Sequence, residues 1–357
     1  MSRDNSVLSE TISFLRFPLI VLVVFAHVDF GFDPARLADF PAAQFVCQGL
    51  VQWGISKLPV RLFFFMAGFL FFKNADWCFA LYKRKIRSRI FTIVIPFLVW
   101  SLLAIAYVEL NRRVLSPVPP YEGNLFLLRL TDIFCTAHNE YLWFPIIYPF
   151  WFIRDLFVVC LLSPIWHFCM KNETVGKIFV FAAGVVWFTY SGLQPPGLNP
   201  AAIFFFCAGG YFSIHGRDFT ADFAKIGTPV TIAFPILLLA DALTQGFAAN
   251  WWIHQTFILV GVVALVFWAS LGVAAGKFRA SALLSGSVFM VYAGHTVGFF
   301  ADPFNWAINS IYLPECNFGI IAMFFLKVAL EVLIWVGIYY CLRRWVPKSL
   351  KLLTGAR

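Results

Sequence analysis

The sequence predicts an all-α, polytopic integral membrane protein of about ten transmembrane helices, with both termini cytoplasmic. Three observations lead there. Of the 357 residues, 61% are hydrophobic and only 13% charged, with a mean hydropathy of +0.80. That leaves too little charge for the polar shell of a soluble domain, in which about a quarter of residues are charged. Apolar windows long enough to cross a bilayer core, about 20 residues each, recur from Ile12 almost to the C-terminus. Lysine and arginine are unevenly shared between alternate connections, as they are when cytoplasmic loops hold the positive excess.

In order, the spans fall near 12–30, 58–73, 91–110, 146–170, 177–190, 200–214, 226–243, 253–272, 281–301 and 318–342, separated by Pro, Gly and charge clusters. The windows 58–73, 177–190 and 200–214 are short for a full crossing, so they extend into their flanks or are partly re-entrant. The first window follows a head carrying Arg3, Asp4 and Glu10 and lacks a small-residue cleavage site, which makes it a retained span. No soluble-looking block interrupts the series, so residues 1–357 read as a single integral membrane domain.

With the N-terminus inside, eighteen of the 27 Lys and Arg residues face the cytoplasm. Six (Arg36, Lys57, Arg61, Arg112, Arg113 and Arg129) face outward, and Arg16, Arg154 and Lys327 fall within spans. The even number of crossings follows from this asymmetry. The net charge of +9 is then an orientation signal and makes no case for nucleic acid. Two long outer connections, 31–57 and 111–145, are candidates to shape an acceptor site. The eight Cys form no CxxC pair and no Cys/His spacing suited to zinc, so no metal site is expected. Cys47, Cys135 and Cys316 share the outer side, which leaves a disulfide among them open.

An ionisable group inside a span is expensive unless something uses it. Arg16 and His27 both lie in the first window, eleven residues apart. At about 100° per residue that is three turns plus about 20°, so they share one helix face about 16 Å apart along the axis. His27 would stand in the outer half, suited to take a proton as a general base or to bond a neighbouring helix. Arg16, near the cytoplasmic edge, suits a phosphate or carbonyl of a cytoplasmic ligand, or snorkels to headgroups. The run YKRKIRSRIF packs Lys83, Arg84, Lys85, Arg87 and Arg89 together, as an orientation and lipid-contact signal or as a dock for donor phosphates. Arg154 and Asp155 adjoin within the fourth window; pointing about 100° apart, each is expected to find a partner on another helix or a ligand. Tyr292 and His295 share a face of the ninth window and line a pore or merely pack. Lys327 and Glu331, at i and i+4, can neutralise each other. No GxSxG, Walker loop or HExxH is present.

These residues resemble the acyltransferase 3 family of membrane-bound acyl transferases over nearly the whole chain. The most specific element is an Arg, ten intervening residues and a His in the first span, matched by Arg16 and His27. LPVRLFFFMAGFLFF resembles the family's second span, KRKIRSRIFTIVIPFLVW its basic loop and third-span entry, YPFWFIRDLFVVCLLSP its Trp-Phe segment, and VYAGHT its late Tyr and His segment. The resemblance implies a ten-span fold that takes an acyl group, commonly acetyl, from cytoplasmic acyl-CoA to a hydroxyl, usually of a sugar, at the outer face. It implies that His27 is catalytic and that Arg16 with Arg84, Arg87 and Arg89 binds the donor; Arg154, Asp155, Tyr292 and His295 remain candidates for a pore or acceptor site. Acyl-CoA is then a co-substrate, with no permanently bound cofactor, and the partners are a sugar or glycolipid acceptor and membrane lipid, with self-association open. Many relatives carry Ser before Gly in the second-span motif, where Ala67 precedes Gly68 here, so a hydroxyl role at that point is excluded. No esterase-like domain is expected in the short tail after Cys341, which leaves transfer to the membrane domain or a separate partner. From the residues alone, a transporter or flippase of lipid-linked sugars using the intramembrane charges is the alternative, and an inactive assembly subunit a third.

Overall fold

A computed structural model describes residues 3–31, 34–73, 77–114, 131–135, 144–192, 195–311 and 314–355. Among them every regular element is helical. The principal helices are α1 (Arg3–Phe25), α2 (Leu58–Phe72), α3 (Phe79–Arg89), α4 (Ile95–Val114), α5 (Trp151–Leu161), α6 (Ser163–Met170) and α7 (Glu173–Thr189). They are followed by α8 (Pro200–Ile214), α9 (Gly227–Leu243), α10 (Asn250–Ala274), α11 (Ala282–Gly294), α12 (Gly298–Ile311), α13 (Asn317–Trp345) and α14 (Pro347–Thr354). The Pro-rich segment 116–124 and the HNEYLW stretch of the second outer connection lie outside the described residues.

Five continuous helical stretches are long and apolar enough to cross a membrane: Val7–Phe25, Pro41–Phe72, Phe79–Asn111, Asn250–Ala274 and Asn317–Trp345. Two bent pairs, α5 with α6 at 59° and α11 with α12 at 87°, bring the number to seven if each is one span. The chain is therefore a helical membrane protein. The short window 58–73 gains its length from its N-terminal flank, where a π-helical stretch Gln44–Gln52 and a 3-10 turn Ile55–Lys57 lead into α2. The windows 200–214 and 226–243 fold as the shorter apolar helices α8 and α9. The 281–301 window does not run straight, because it breaks after Gly294.

The core has two apolar clusters, and α1 belongs to both. Leu8, Ile12, Leu15 and Leu19 pack with α2, α8 and α10, whereas Ile20, Val23, Val24 and Val28 pack with α4, α11 and α13. On the first side, α2 and α8 touch backbone to backbone. A Cβ on Gly68 would lie 1.9 Å from the Phe206 carbonyl oxygen, and one on Gly209 would lie 1.9 Å from that of Phe65. Reciprocal glycines permit this approach, as small residues do where membrane helices cross closely.

On the second side, α1 and α11 run parallel. Near their starts the Ala280 amide donates to Glu10 Oε1 at 2.6 Å and Ser285 Oγ to the Ser13 carbonyl at 3.4 Å. Past their ends the rings of His27 and His295 lie 5.3 Å apart. The cysteines at 47, 135 and 316 are all unbridged, so the disulfide left open by their sidedness does not form.

Candidate active site between two parallel helices

On α1, Arg16, Ile20 and Val23 recur at helical spacing and face one cavity of about 220 Å³. His27 stands one step further along that stripe. On α11, Ser285, Val288, Phe289 and Tyr292 face the same cavity, and His295 continues their stripe. Arg16 faces this cavity while His27 lines the next one; α1 ends at Phe25, and His27 sits in the closing turn, its amide donating to the Val24 carbonyl at 3.0 Å.

Arg89 joins Arg16 in the cavity wall, just before a π-helical turn, Ile90–Val94, between α3 and α4. No carboxylate lines the cavity, and neither guanidinium has a hydrogen bond or ion pair among the described residues. Arg84 and Arg87 are exposed on α3 and do not reach it. Ala67 lines the wall with a methyl group where a serine would place a hydroxyl. Tyr292 closes the far end, its hydroxyl donating to the Pro149 carbonyl at 2.6 Å.

Beyond Tyr292 the chain turns through 87°, and His295 occupies the turn. Its Nδ1 lies 2.8 Å from the Tyr292 carbonyl oxygen. A carbonyl only accepts, so Nδ1 carries the proton and Nε2 keeps a lone pair; that Nε2 is buried without a partner. Gly294 sets the position, since a Cβ there would lie 2.2 Å from the Trp335 indole. His27 is half-buried, makes no side-chain hydrogen bond among the described residues, and touches His295 on one side and Tyr148 on the other, at 5.3 and 5.7 Å between ring centroids. Both histidines line a second cavity of about 160 Å³, with Asn305, Thr296, Lys327 and Glu331. Lys327 and Glu331 are near enough for their charges to attract, as expected, but make no direct ion pair among the described residues; Lys327 Nζ donates to the Asp29 carbonyl at 2.8 Å, tying α13 to the segment beyond His27.

Tyr148 also borders a third and larger pocket, of about 770 Å³, which holds Arg154 and Asp155. These two do have outside partners, Arg154 Nη1 on the Phe134 carbonyl at 2.8 Å and Asp155 Oδ1 on the Gly197 amide at 2.8 Å. They also pair with each other, Nε to Oδ1 at 2.9 Å, because the long arginine stem spans the angle between adjacent helix positions. The four residues read as possible pore or acceptor groups thus separate: Arg154 and Asp155 here, Tyr292 in the guanidinium cavity, His295 beside His27.

Sequence reasoning missed three ionisable residues that line this larger pocket and a fourth, Asp241, that lies behind it. Lys57 and Arg61 were counted only as outer charge, yet both line it. His254 lines it too, with Nδ1 3.0 Å from Oδ2 of buried Asp241. Both lie in apolar windows, so the rule that singled out Arg16 and His27 applied equally to them.

The apolar helical bundle thus places two guanidiniums in one cavity and an imidazole pair in the next. The comparison of sequences supplies the class: the acyltransferase domain family matches residues 10–340, and the chain belongs to that acyltransferase 3 family. It is similar to the succinoglycan biosynthesis protein ExoH of Rhizobium meliloti (strain 1021), 21% identical over 374 residues that cover 98% of this chain and 92% of that protein. No solved structure matches the chain.

Proposed function

We propose that the protein is an O-acyltransferase of the plasma (inner) membrane that moves an acyl group, acetyl first among candidates, from cytoplasmic acyl-CoA to a sugar hydroxyl of an envelope polysaccharide or glycolipid. The name of the succinoglycan relative supports the polysaccharide class. The proposal keeps both termini cytoplasmic and ten crossings. It has Arg84 and Arg87 attract the donor's phosphates at the surface and Arg16 with Arg89 hold them, in a site from which carboxylates are absent. A slender apolar arm then occupies the cavity between α1 and α11, with its thioester toward Tyr292.

The acceptor oxygen attacks the thioester carbonyl while its proton passes to His27. The carbon–sulfur bond breaks and the thiolate departs, taking a proton. His295, with its lone pair on Nε2, positions His27 and the acceptor hydroxyl. The single observation that carries this reading is the pair of parallel stripes running from Arg16 and Ser285 to His27 and His295. Purified protein in liposomes with labelled acetyl-CoA and a saccharide tests it. His27→Ala should abolish transfer; full activity in that variant would sink the mechanism, and label retained on His27 would replace direct transfer by an acyl-histidine. No observation favours transport: the alternative requires substrate accumulation in vesicles lacking any thioester.

A further inference from the structure

The large pocket beside Tyr148 holds four side chains that can carry positive charge, and two are already compensated. Arg154 pairs with Asp155 at 2.9 Å and His254 with Asp241 at 3.0 Å. Lys57 and Arg61 are not. They stand one helical turn apart, with Arg61 Nη1 on the Lys57 carbonyl at 3.2 Å, and neither has a carboxylate among the described residues. Arg61 Nε is buried with no partner. Two adjacent uncompensated cations in a largely buried wall are costly unless an anion completes them.

The rest of the wall says what else that anion carries. Trp151, Trp187 and Trp251 line the pocket and make its wall aromatic, with Trp187 held by stacking on Phe204 and Trp251 by its indole N–H on the Phe188 carbonyl at 2.9 Å. The Gln255 side-chain oxygen is buried and unpartnered at the same wall, an acceptor awaiting a hydroxyl donor. An aromatic wall, an open acceptor and an anion clamp together match a sugar ring bearing a negative group. Tyr148 links this volume to His27 at 5.7 Å.

We propose that this pocket is the acceptor subsite and selects an acidic saccharide, its carboxylate or phosphate seated on Lys57 and Arg61. This rests on the acyltransferase reading above, and binding can be measured apart from turnover. Full-length protein in phosphatidylcholine nanodiscs is titrated with cellobiouronic acid, cellobiose and dihexanoyl phosphatidylglycerol. The acidic disaccharide should bind at least ten-fold more tightly than cellobiose, with an affinity that falls as salt is raised. Lys57→Gln and Arg61→Gln should each weaken it about ten-fold or more while cellobiose is unaffected, and Arg61→Lys should recover part of the loss, which excludes misfolding as the cause. Equal binding of cellobiose, indifference of the acidic sugar to both variants, or equally tight phosphatidylglycerol would overturn the assignment. Acyl transfer to cellobiose and cellobiouronic acid alike refutes the acidic preference and leaves the acyltransferase reading standing. Tight, Lys57-dependent binding of the acid without any thioester turnover supports the anion site and removes the acyltransferase mechanism instead.

Discussion

Alanine at Gly294 should separate catalysis from donor binding. Its Cβ would lie 2.2 Å from Cε2 and 2.2 Å from Cζ2 of Trp335. Carbon atoms rest at about 3.5 Å, so about 1.3 Å must open. Trp335 cannot swing away, being 3% exposed and held against Phe300 at 4.8 Å and Trp100 at 5.8 Å. The end of α11 has to move, and His295 is the next residue. Overpacking of this kind costs about 1–3 kcal/mol of stability. A displacement near 1 Å at a reacting group costs about 100-fold in rate, or about 2.7 kcal/mol of barrier. Steady-state kinetics in proteoliposomes, with acetyl-CoA and a saccharide varied in turn, should give kcat down about 100-fold. The donor KM should stay within about threefold, because Arg16 lies about 16 Å back along the stripe. Gly337→Ala, where a Cβ meets nothing within 4 Å, should leave kcat unchanged. A folded Gly294→Ala protein with kcat within threefold of the parent, or one whose donor KM rises instead, would refute the placement of His295 at the chemistry.

Arg16→Ala and Arg89→Ala should each raise the donor KM about ten-fold, as loss of a charge-assisted contact does, whereas Arg84→Ala and Arg87→Ala, exposed outside the cavity, should change it little; donor titration decides. Gly209→Ala places a Cβ 1.9 Å from the Phe65 carbonyl oxygen, backbone that cannot rotate away, so the α2–α8 crossing should lose stability at the upper end of about 1–3 kcal/mol, read as a lower Tm in detergent. Asp241→Ala leaves the His254 Nδ1–H, now 3.0 Å from that carboxylate, without its acceptor, while the Asn250 amide keeps the residue-241 backbone carbonyl and Thr244 Oγ1; the change should cost about 1–3 kcal/mol, and an unchanged Tm would contradict it.

The helical membrane character was legible because it rests on composition and window length, which tertiary contacts do not alter. That Arg16 and His27 both turn toward cavities of the bundle was legible for a similar reason: helical periodicity is local. What they meet there was not, because α11 begins more than 250 residues later and only packing aligns Ser285 with Arg16 and His295 with His27. The run 83–89 could be read as one basic cluster, yet only Arg89 reaches the cavity, while Arg84 and Arg87 are exposed elsewhere on α3; that division depends on packing which the run itself does not record. Arg154 and Lys327 show the limit of angular reasoning. A long flexible stem reached a neighbour 100° away in one case, and a backbone carbonyl 298 residues distant in the other. Asp241 and His254 were legible and overlooked, each a lone ionisable group in an apolar window.

The parallel direction of α1 and α11 has a consequence for both halves of the reaction. Helix N-termini carry partial positive charge and C-termini partial negative charge, worth about 0.3–1 kcal/mol each and more where water is scarce. At the end where α11 begins, that field adds to Arg16 and Arg89 in favouring an anionic donor. At the other end both helices finish beside the imidazoles, His27 in the closing turn of α1 and His295 at the C-terminus of α11. In the proposed reaction, positive charge developing on His27 as it accepts a proton would therefore meet the negative ends of both helices. Antiparallel helices would have opposed one of these effects with the other. Under the proposed mechanism, two stripes that start together and end together would let one pair of helices favour phosphate at the donor end and an imidazolium at the end where acyl transfer is proposed.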